Sequence, residues 1–385
     1  MFAQVALIVA AGLLGPIMAA GRRALVPVLV GELAAGAIIG RTGFSLVDPT
    51  QQPLPALYQI GFALVMFAAG THIDLASTDL RRGVVRGLVA VAAVSVLAVP
   101  AGWALSTLLG VGNPPLVAVL LAGSSAAVAF PIMEERGMTG PSVSLLVAWI
   151  ALADVVTVLV MPLTLTGAPA IPRALLGDGL IIVAGLAVAV VVPRLLATHP
   201  AVAWLEQSIE RGWALQLRLS ILLLLILAAI AAGWGGSGLV AGFTAGMVLR
   251  RLREPERLQL QLSGLANGFF VPAFFVLLGA TIDLRALAAS PSAIGLAVAM
   301  AASGALIRVV GALLVGRERR LATGLMASAQ LGLPAAAASL GLSSGRLTPA
   351  LAAALVAGAC LTLIPASIGG VLFTRHRDGR GAVAA

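Results

Sequence analysis

Lysine is absent from these 385 residues, cysteine occurs once (Cys360), tyrosine once and histidine three times. A single cysteine excludes a disulfide scaffold. With so few histidines beside it there is no material for a Cys/His metal cluster either. Charged residues make up 10% of the chain, against about a quarter in a soluble domain, so the chain cannot coat itself with a wetted surface. Aromatics stand at 4%, too few to interleave with the net charge of +9, and nucleic acid is not needed to explain that charge. No nucleophile–base pair or metal-ligand spacing supports an enzyme, and no cofactor is expected. What the chain does have is apolar length: 60% hydrophobic residues and a mean hydropathy of +1.07. It reads as an all-α polytopic membrane protein.

A helix that crosses a bilayer needs about 20 mostly apolar residues. Charges, Gly and Pro divide the chain into about thirteen such segments, near 2–20, 25–40, 54–73, 83–109, 114–133, 143–166, 173–197, 214–232, 234–249, 258–280, 291–315, 320–341 and 348–373. No basic stretch precedes the first segment, which is therefore expected to be a span rather than a cleaved leader. Connecting loops are short, and only a short tail, 374–385, follows the last segment.

All 24 basic residues are arginine. If the spans alternate, nineteen fall in loops on the side opposite the N-terminus, among them Arg22, Arg23, Arg81, Arg82 and Arg250. Four fall on the N-terminal side: Arg41, Arg173, Arg285 and Arg346. The positive-inside rule then puts the N-terminus outside and the C-terminus in the cytoplasm of a cell-membrane protein. One arginine is left inside a span, Arg308.

The chain repeats itself. Gly70-Thr71-His72-Ile73-Asp74-Leu75 ends the third segment, and Gly279-Ala280-Thr281-Ile282-Asp283-Leu284 ends the tenth, at an offset of 209. Ala35-Gly36-Ala37 in the second segment matches Ala245-Gly246-Met247 in the ninth, at an offset of 210. A displacement of seven spans is odd, so the two six-helix halves must be inverted, with the seventh span as connector. Inverted repeats mark alternating-access transporters.

An ionisable residue at bilayer depth costs about 2.5–3.5 kcal/mol and marks function by default. Asp154 lies mid-span, with no other charge between Trp149 and Val160. A lone carboxylate there is a place where a proton and a small cation compete; the alternative is an acid hydrogen-bonded for packing. Segment five holds Gly123-Ser124-Ser125 and then Pro131, and its repeat partner, segment twelve, holds Gln330-Leu331-Gly332-Leu333-Pro334. Proline removes a helix hydrogen bond, and interrupted helices at matching positions point to a binding site. Freed carbonyls and the hydroxyls of Ser124 and Ser125 suit a hard cation. Arg308 either snorkels to the interface or supplies a fixed positive charge near the interruptions. Thr157, one turn from Asp154, is a supporting donor or bonds its own backbone, and Gln330 is a supporting residue. Glu32 reads as structural. His72, Asp74, Glu134 and Glu135 read as interfacial, and Cys360 as a small hydrophobe.

Gly31-Glu32-Leu33-Ala34-Ala35-Gly36-Ala37-Ile38-Ile39-Gly40 and Ile60-Gly61-Phe62 through Gly70 resemble the opening pattern of the monovalent cation:proton antiporter-2 family, which includes sodium/proton antiporters and Kef-type potassium efflux systems. Phe270-Val271-Pro272-Ala273-Phe274-Phe275-Val276-Leu277-Leu278-Gly279 resembles its second half. The resemblance implies a sodium/proton antiporter-like fold with crossed interrupted helices, in a homodimer embedded in membrane lipid. It implies panel helices in 1–82 and 213–285, core helices in 83–166 and 286–373, and a connector in 167–212. It implies that Asp154 carries Na⁺ or K⁺ and H⁺, and that Arg308 stands where members carry a basic residue. Three departures are visible: Ala153 precedes Asp154 where an Asp or Asn is usual, Thr71-His72 replaces Gly-Leu-Glu, and a Kef-type cytoplasmic regulatory domain is not expected in the tail. With one carrier carboxylate, electroneutral exchange is expected. A cation channel and a cation-coupled solute symporter are the alternatives.

Overall fold

The structure, a computed structural model, describes residues 2–20, 28–71, 78–135, 138, 141–166, 168–196, 207–208, 211–252, 256–315 and 319–381. Among them there is no strand. The first half comprises α1 (Phe2–Gly12), α2 (Leu14–Ala19), α3 (Val28–Ile39), α4 (Leu54–Thr71), α5 (Thr78–Leu108), α6 (Pro114–Ala122), α7 (Ala126–Glu135) and α8 (Pro141–Leu165). The long helix α9 (Ile171–Leu196) follows. The second half comprises α10 (Leu215–Trp234), α11 (Gly238–Arg251), α12 (Glu256–Leu265), α13 (Val271–Thr281), α14 (Leu284–Ala288), α15 (Pro291–Val315), α16 (Arg320–Ala327), α17 (Gly332–Ser343) and α18 (Pro349–Gly381).

Each of the thirteen expected segments contains a helix, or two in succession where the chain is interrupted. Among the described residues, eight helical stretches, with α1–α2 and α16–α17 each counted as one, are long and apolar enough to cross a membrane, and Val28–Ile39, Leu54–Ala68 and Ala266–Thr281 are apolar but shorter. Five of the arginines behind the expected orientation, Arg22, Arg23, Arg136, Arg253 and Arg317, lie outside the described residues, as do His72 and Asp74; the side chains of Glu134 and Glu135 are likewise not described.

The chain divides into two compact units, one of residues 1–55, 76–165 and 275–385 and the other of residues 56–75 and 166–274. In the first, α5, α6, α8 and α15 to α18 pack on one another. Its core is made of small and branched side chains such as Ala148, Ala336, Ala353 and Leu120, with Trp149 fully buried. In this unit α3 crosses α13 at glycine. A Cβ on Gly36 would lie 2.0 Å from the Val276 carbonyl oxygen, and one on Gly279 would lie 2.2 Å from the Leu33 carbonyl oxygen. In the second unit α4 crosses α11 in the same way: a Cβ on Gly70 would lie 2.2 Å from Phe243 O, and one on Gly246 would lie 2.0 Å from Phe67 O. Gly36 and Gly246, and Gly279 and Gly70, are the pairs matched by the sequence repeat. Each half therefore sends the same two glycines into a backbone-to-backbone crossing, the packing that membrane helices use in place of a hydrophobic driving force.

The second copy of the repeated Ile-Asp-Leu ending has a structural reason. Asp283 accepts a hydrogen bond from Ala286 N at 2.8 Å and so caps α14. Thr42 ties the same turn down, donating to Ile282 O at 2.8 Å and accepting from Leu284 N at 3.0 Å.

In the second unit α9, α10 and α11 pack together. Leu176, Val183 and Leu186 of α9 and Leu222 and Leu225 of α10 are exposed. Apolar side chains in that number need a hydrocarbon solvent. One acid of α9 that went unremarked in the sequence is placed here. Asp178 is buried and its Oδ1 accepts from Ser237 N at 2.7 Å, holding the start of α11, while Oδ2 has no partner among the described residues. Its signal was visible, an acid inside an otherwise apolar span. Asp178→Ala is expected to lower stability in detergent by about 1–2 kcal/mol, because a buried amide loses its acceptor. Asp178→Asn, which keeps one carbonyl oxygen, is expected to retain most of it; paired thermal melts check both.

A carboxylate at the crossing of two interrupted helices

The fifth segment starts on a strong cap. Asn113 accepts from Leu116 N at 3.1 Å with Pro114 at the first helical position, and its Nδ2 donates to Thr164 O at 2.9 Å, at the far end of α8. The helix then stops at Ala122, because Gly123 is extended, with ψ 156°. It resumes at Ala126. The interruption is thus Gly123-Ser124-Ser125, and Pro131, which the sequence suggested as the breaking residue, lies inside α7. In the twelfth segment the helix stops at Ala327 and resumes at Gly332. Pro334 is the third residue of α17, where a missing N–H costs nothing because the first turn has no intrahelical acceptor.

The two interruptions meet. Ser124 Oγ donates to Ala327 O at 2.7 Å, the carbonyl that ends α16. Gln330 Nε2 donates to Leu120 O at 2.6 Å and also to Gly123 O, the carbonyls that end α6. Each break therefore caps the carbonyl end of the other. Gln330 is itself held from α18, where Thr362 Oγ1 accepts from Gln330 N at 3.1 Å and donates to Ala359 O at 2.6 Å. Thr362 had no signal in the sequence, since its role depends on a residue 32 positions away.

Asp154 holds the other end of the first break, where the helix resumes. It is buried at the middle of α8, and its Oδ2 accepts from Ala126 N at 3.0 Å. Ala126 opens α7, so the carboxylate sits at the positive end of a half-helix dipole. Ser124 and Ser125, in the break itself, are also buried, and Ser125 O accepts from Ala129 N at 3.0 Å to start the helix. Thr157 spends its hydrogen on its own helix, donating to Ala153 O at 2.7 Å. Its oxygen nevertheless faces the break, 3.5 Å from where a Cβ on Gly123 would be.

Arg308 is fully buried and does not snorkel. Its Nη1 donates to Gly304 O at 2.8 Å, and Nε and Nη2 have no hydrogen-bond partner among the described residues. Its hydrogen bonds thus do not include Asp154. Glu32 is buried on α3 against Gly15, with Oε2 unpartnered among the described residues. No group of three or more His, Cys, Asp or Glu that could hold a metal occurs among the described residues.

An all-helical chain with two interrupted helices crossing around a buried carboxylate has the build of an ion-coupled membrane transporter. The profile of the family described as sodium/hydrogen exchanger, transmembrane, matches residues 8–374, and the chain belongs to that family, one of transporters and not of enzymes. The Na(+)/H(+) antiporter of Enterococcus hirae is 23% identical over 266 residues, 68% of each chain. The high-affinity Na(+)/H(+) antiporter NhaS3 of Synechocystis is 26% identical over 330 residues, 81% of this chain and 69% of that one. YjbQ of Bacillus subtilis is 26% identical over 306 residues, but there the match is 48% of the relative, so this chain spans about half its length. In structure, the sodium proton antiporter MjNhaP1 of Methanocaldococcus jannaschii at pH 8 superposes with a TM-score of 0.62 at 18% identity, covering 97% of this chain and 98% of that one. The fold is therefore the antiporter fold expected from the sequence.

Proposed function

We propose that the protein is a secondary antiporter that exchanges a monovalent cation, Na⁺ or K⁺, for H⁺ across the cell membrane by alternating access. The observation that carries this reading is Asp154: a carboxylate buried mid-helix at the interruption, with one oxygen held by the Ala126 amide. That hydrogen bond fixes the carboxylate without neutralising it. A proton or a cation does the neutralising, and the site holds one or the other. Oxygens of Ser124 and Ser125 in the break and of Thr157 on α8 are the neutral ligands, and Arg308 contributes a fixed charge that does not exchange its proton. The family match and the names of the relatives support the exchange of Na⁺ for H⁺ in particular.

The reading extends to the whole assembly. The chain acts as a homodimer in membrane lipid, with its N-terminus outside and its C-terminus in the cytoplasm. The helices of 83–166 and 286–373 move as a core against panels formed by 1–82 and 213–285, and 167–212 connects the halves. One carrier carboxylate exchanging one proton for one cation makes the cycle electroneutral. Purified protein in proteoliposomes loaded with a pH dye is expected to alkalinise the lumen on an external pulse of NaCl or KCl; for the NaCl pulse, with K⁺ held constant, the rate is expected to be unchanged when valinomycin and a K⁺ gradient set the membrane potential between 0 and about −100 mV. A rate that follows the potential would remove the one-for-one stoichiometry. No response to any alkali cation would remove antiport.

A further inference from the structure

Interrupting a membrane helix leaves carbonyls pointing into the protein, and in a cation transporter these are the natural neutral ligands. In this chain they are already taken. Val119 O accepts from Gly123 N, Leu120 O and Gly123 O accept from the Gln330 amide, and Ala327 O accepts from Ser124. Gln330 is buried, and its backbone is pinned by Thr362 on α18, so the amide is aimed and not adrift. Its NH₂ group presents two donors to two carbonyls, which is the arrangement a cation would make there.

We propose that Gln330 is a specificity-determining residue: its amide occupies, without charge, the carbonyl end of α6, and thereby keeps the transported cation on the Asp154 side of the break with hydroxyls as its neutral ligands. This rests on the antiport reading above. A cluster of carbonyls suits a larger, more weakly hydrated ion, whereas carboxylate with hydroxyls and water suits a smaller one. Gln330 therefore biases the site against K⁺ relative to Na⁺.

The test measures apparent KM and Vmax for Na⁺ and K⁺ in proteoliposomes of wild type, Gln330→Ala and Gln330→Met. Met fills the volume of Gln and lacks its donors. Both variants release Leu120 O and Gly123 O, and in both the ratio of KM for K⁺ to KM for Na⁺ is expected to fall about fivefold or more. Equal losses of Vmax for both ions with an unchanged ratio would reduce Gln330 to a structural strut and overturn the proposal. A wild type that exchanges neither ion fails the antiport reading instead. A second measurement needs no variant: crystals of the wild type grown in Tl⁺, a K⁺ analogue visible by anomalous scattering, are expected to show no Tl⁺ within ligand distance of Leu120 O and Gly123 O. Density there, with the amide displaced, overturns the proposal whether or not the variants fold.

Discussion

Asp154→Asn is expected to abolish cation-driven proton movement in proteoliposomes while leaving the protein folded. The substitution is nearly isosteric, and the side-chain carbonyl oxygen still accepts from Ala126 N, now at 3.0 Å from Oδ2. The start of α7 keeps its partner, and the melting temperature in detergent should change little. What disappears is the ability to take up a proton and give it back, and with it the negative charge that draws the cation to mid-membrane. A loss of at least about 10²-fold in rate is expected, since no second acid is placed at the break among the described residues. The same competition fixes the pH dependence of the wild type. Where the proton occupies the carboxylate, each unit of acidification is expected to raise the apparent KM for the cation about tenfold with Vmax unchanged. Asp154→Asn with intact exchange would move the carrier role to another residue. A KM independent of pH alongside normal exchange would mean that the two ions do not share the carboxylate.

The second large effect is on assembly. Gly36→Ala is expected to cost about 3 kcal/mol, the upper range for overpacking, and Gly246→Ala the same. In both cases the added Cβ would lie 2.0 Å from a carbonyl oxygen of the partner helix, Val276 O or Phe67 O. A flexible side chain can swing away from such a clash, but a helix backbone cannot. The two helices must separate by an ångström or more, and the contacts that made them a pair go with it. Gly233→Ala is the control. It lies on α10 with nothing within 4 Å of its Cβ position, and a glycine-to-alanine change in an unhindered helix is worth up to about 1 kcal/mol of stability. Thermal melts of the three variants separate the cases: two large losses and one neutral or small gain. Equal behaviour of all three would mean that the crossings are looser than the distances indicate.

Much of this was legible in the sequence, and the reasons are local ones. Apolar length and the placing of arginine outlined the helices, and every expected segment contains one. The matched glycines Gly36 and Gly246 announced a repeat, and they turn out to sit at equivalent crossings. Asp154 was conspicuous because nothing else near it is charged. The interruptions were found at the right segments but credited to the wrong residues. Pro131 and Pro334 are the visible breakers, yet one lies inside α7 and the other in the first turn of α17. The actual breaks fall at Gly123-Ser124-Ser125 and just before Gly332, where the chain can afford open carbonyls because donors 203 to 210 residues away fill them. No window of sequence contains both partners of such a bond. The same holds for Thr362 behind Gln330 and for Asp178 at the start of α11. Thr157 was visible as either a donor to the site or a donor to its own helix, and only coordinates decide that its hydrogen goes to Ala153 O.

The exchange of caps between the two breaks has a consequence for synthesis. Gly123 is made 207 residues before Gln330, the residue that covers its carbonyl. At about 5–20 residues per second, the first half waits roughly 10–40 s in the bilayer with a severed helix whose end has nothing to bind but water, lipid headgroups or the insertion machinery. The nascent first half is in this sense unfinished however well its own helices have threaded, and the late arrival of one glutamine is what closes it.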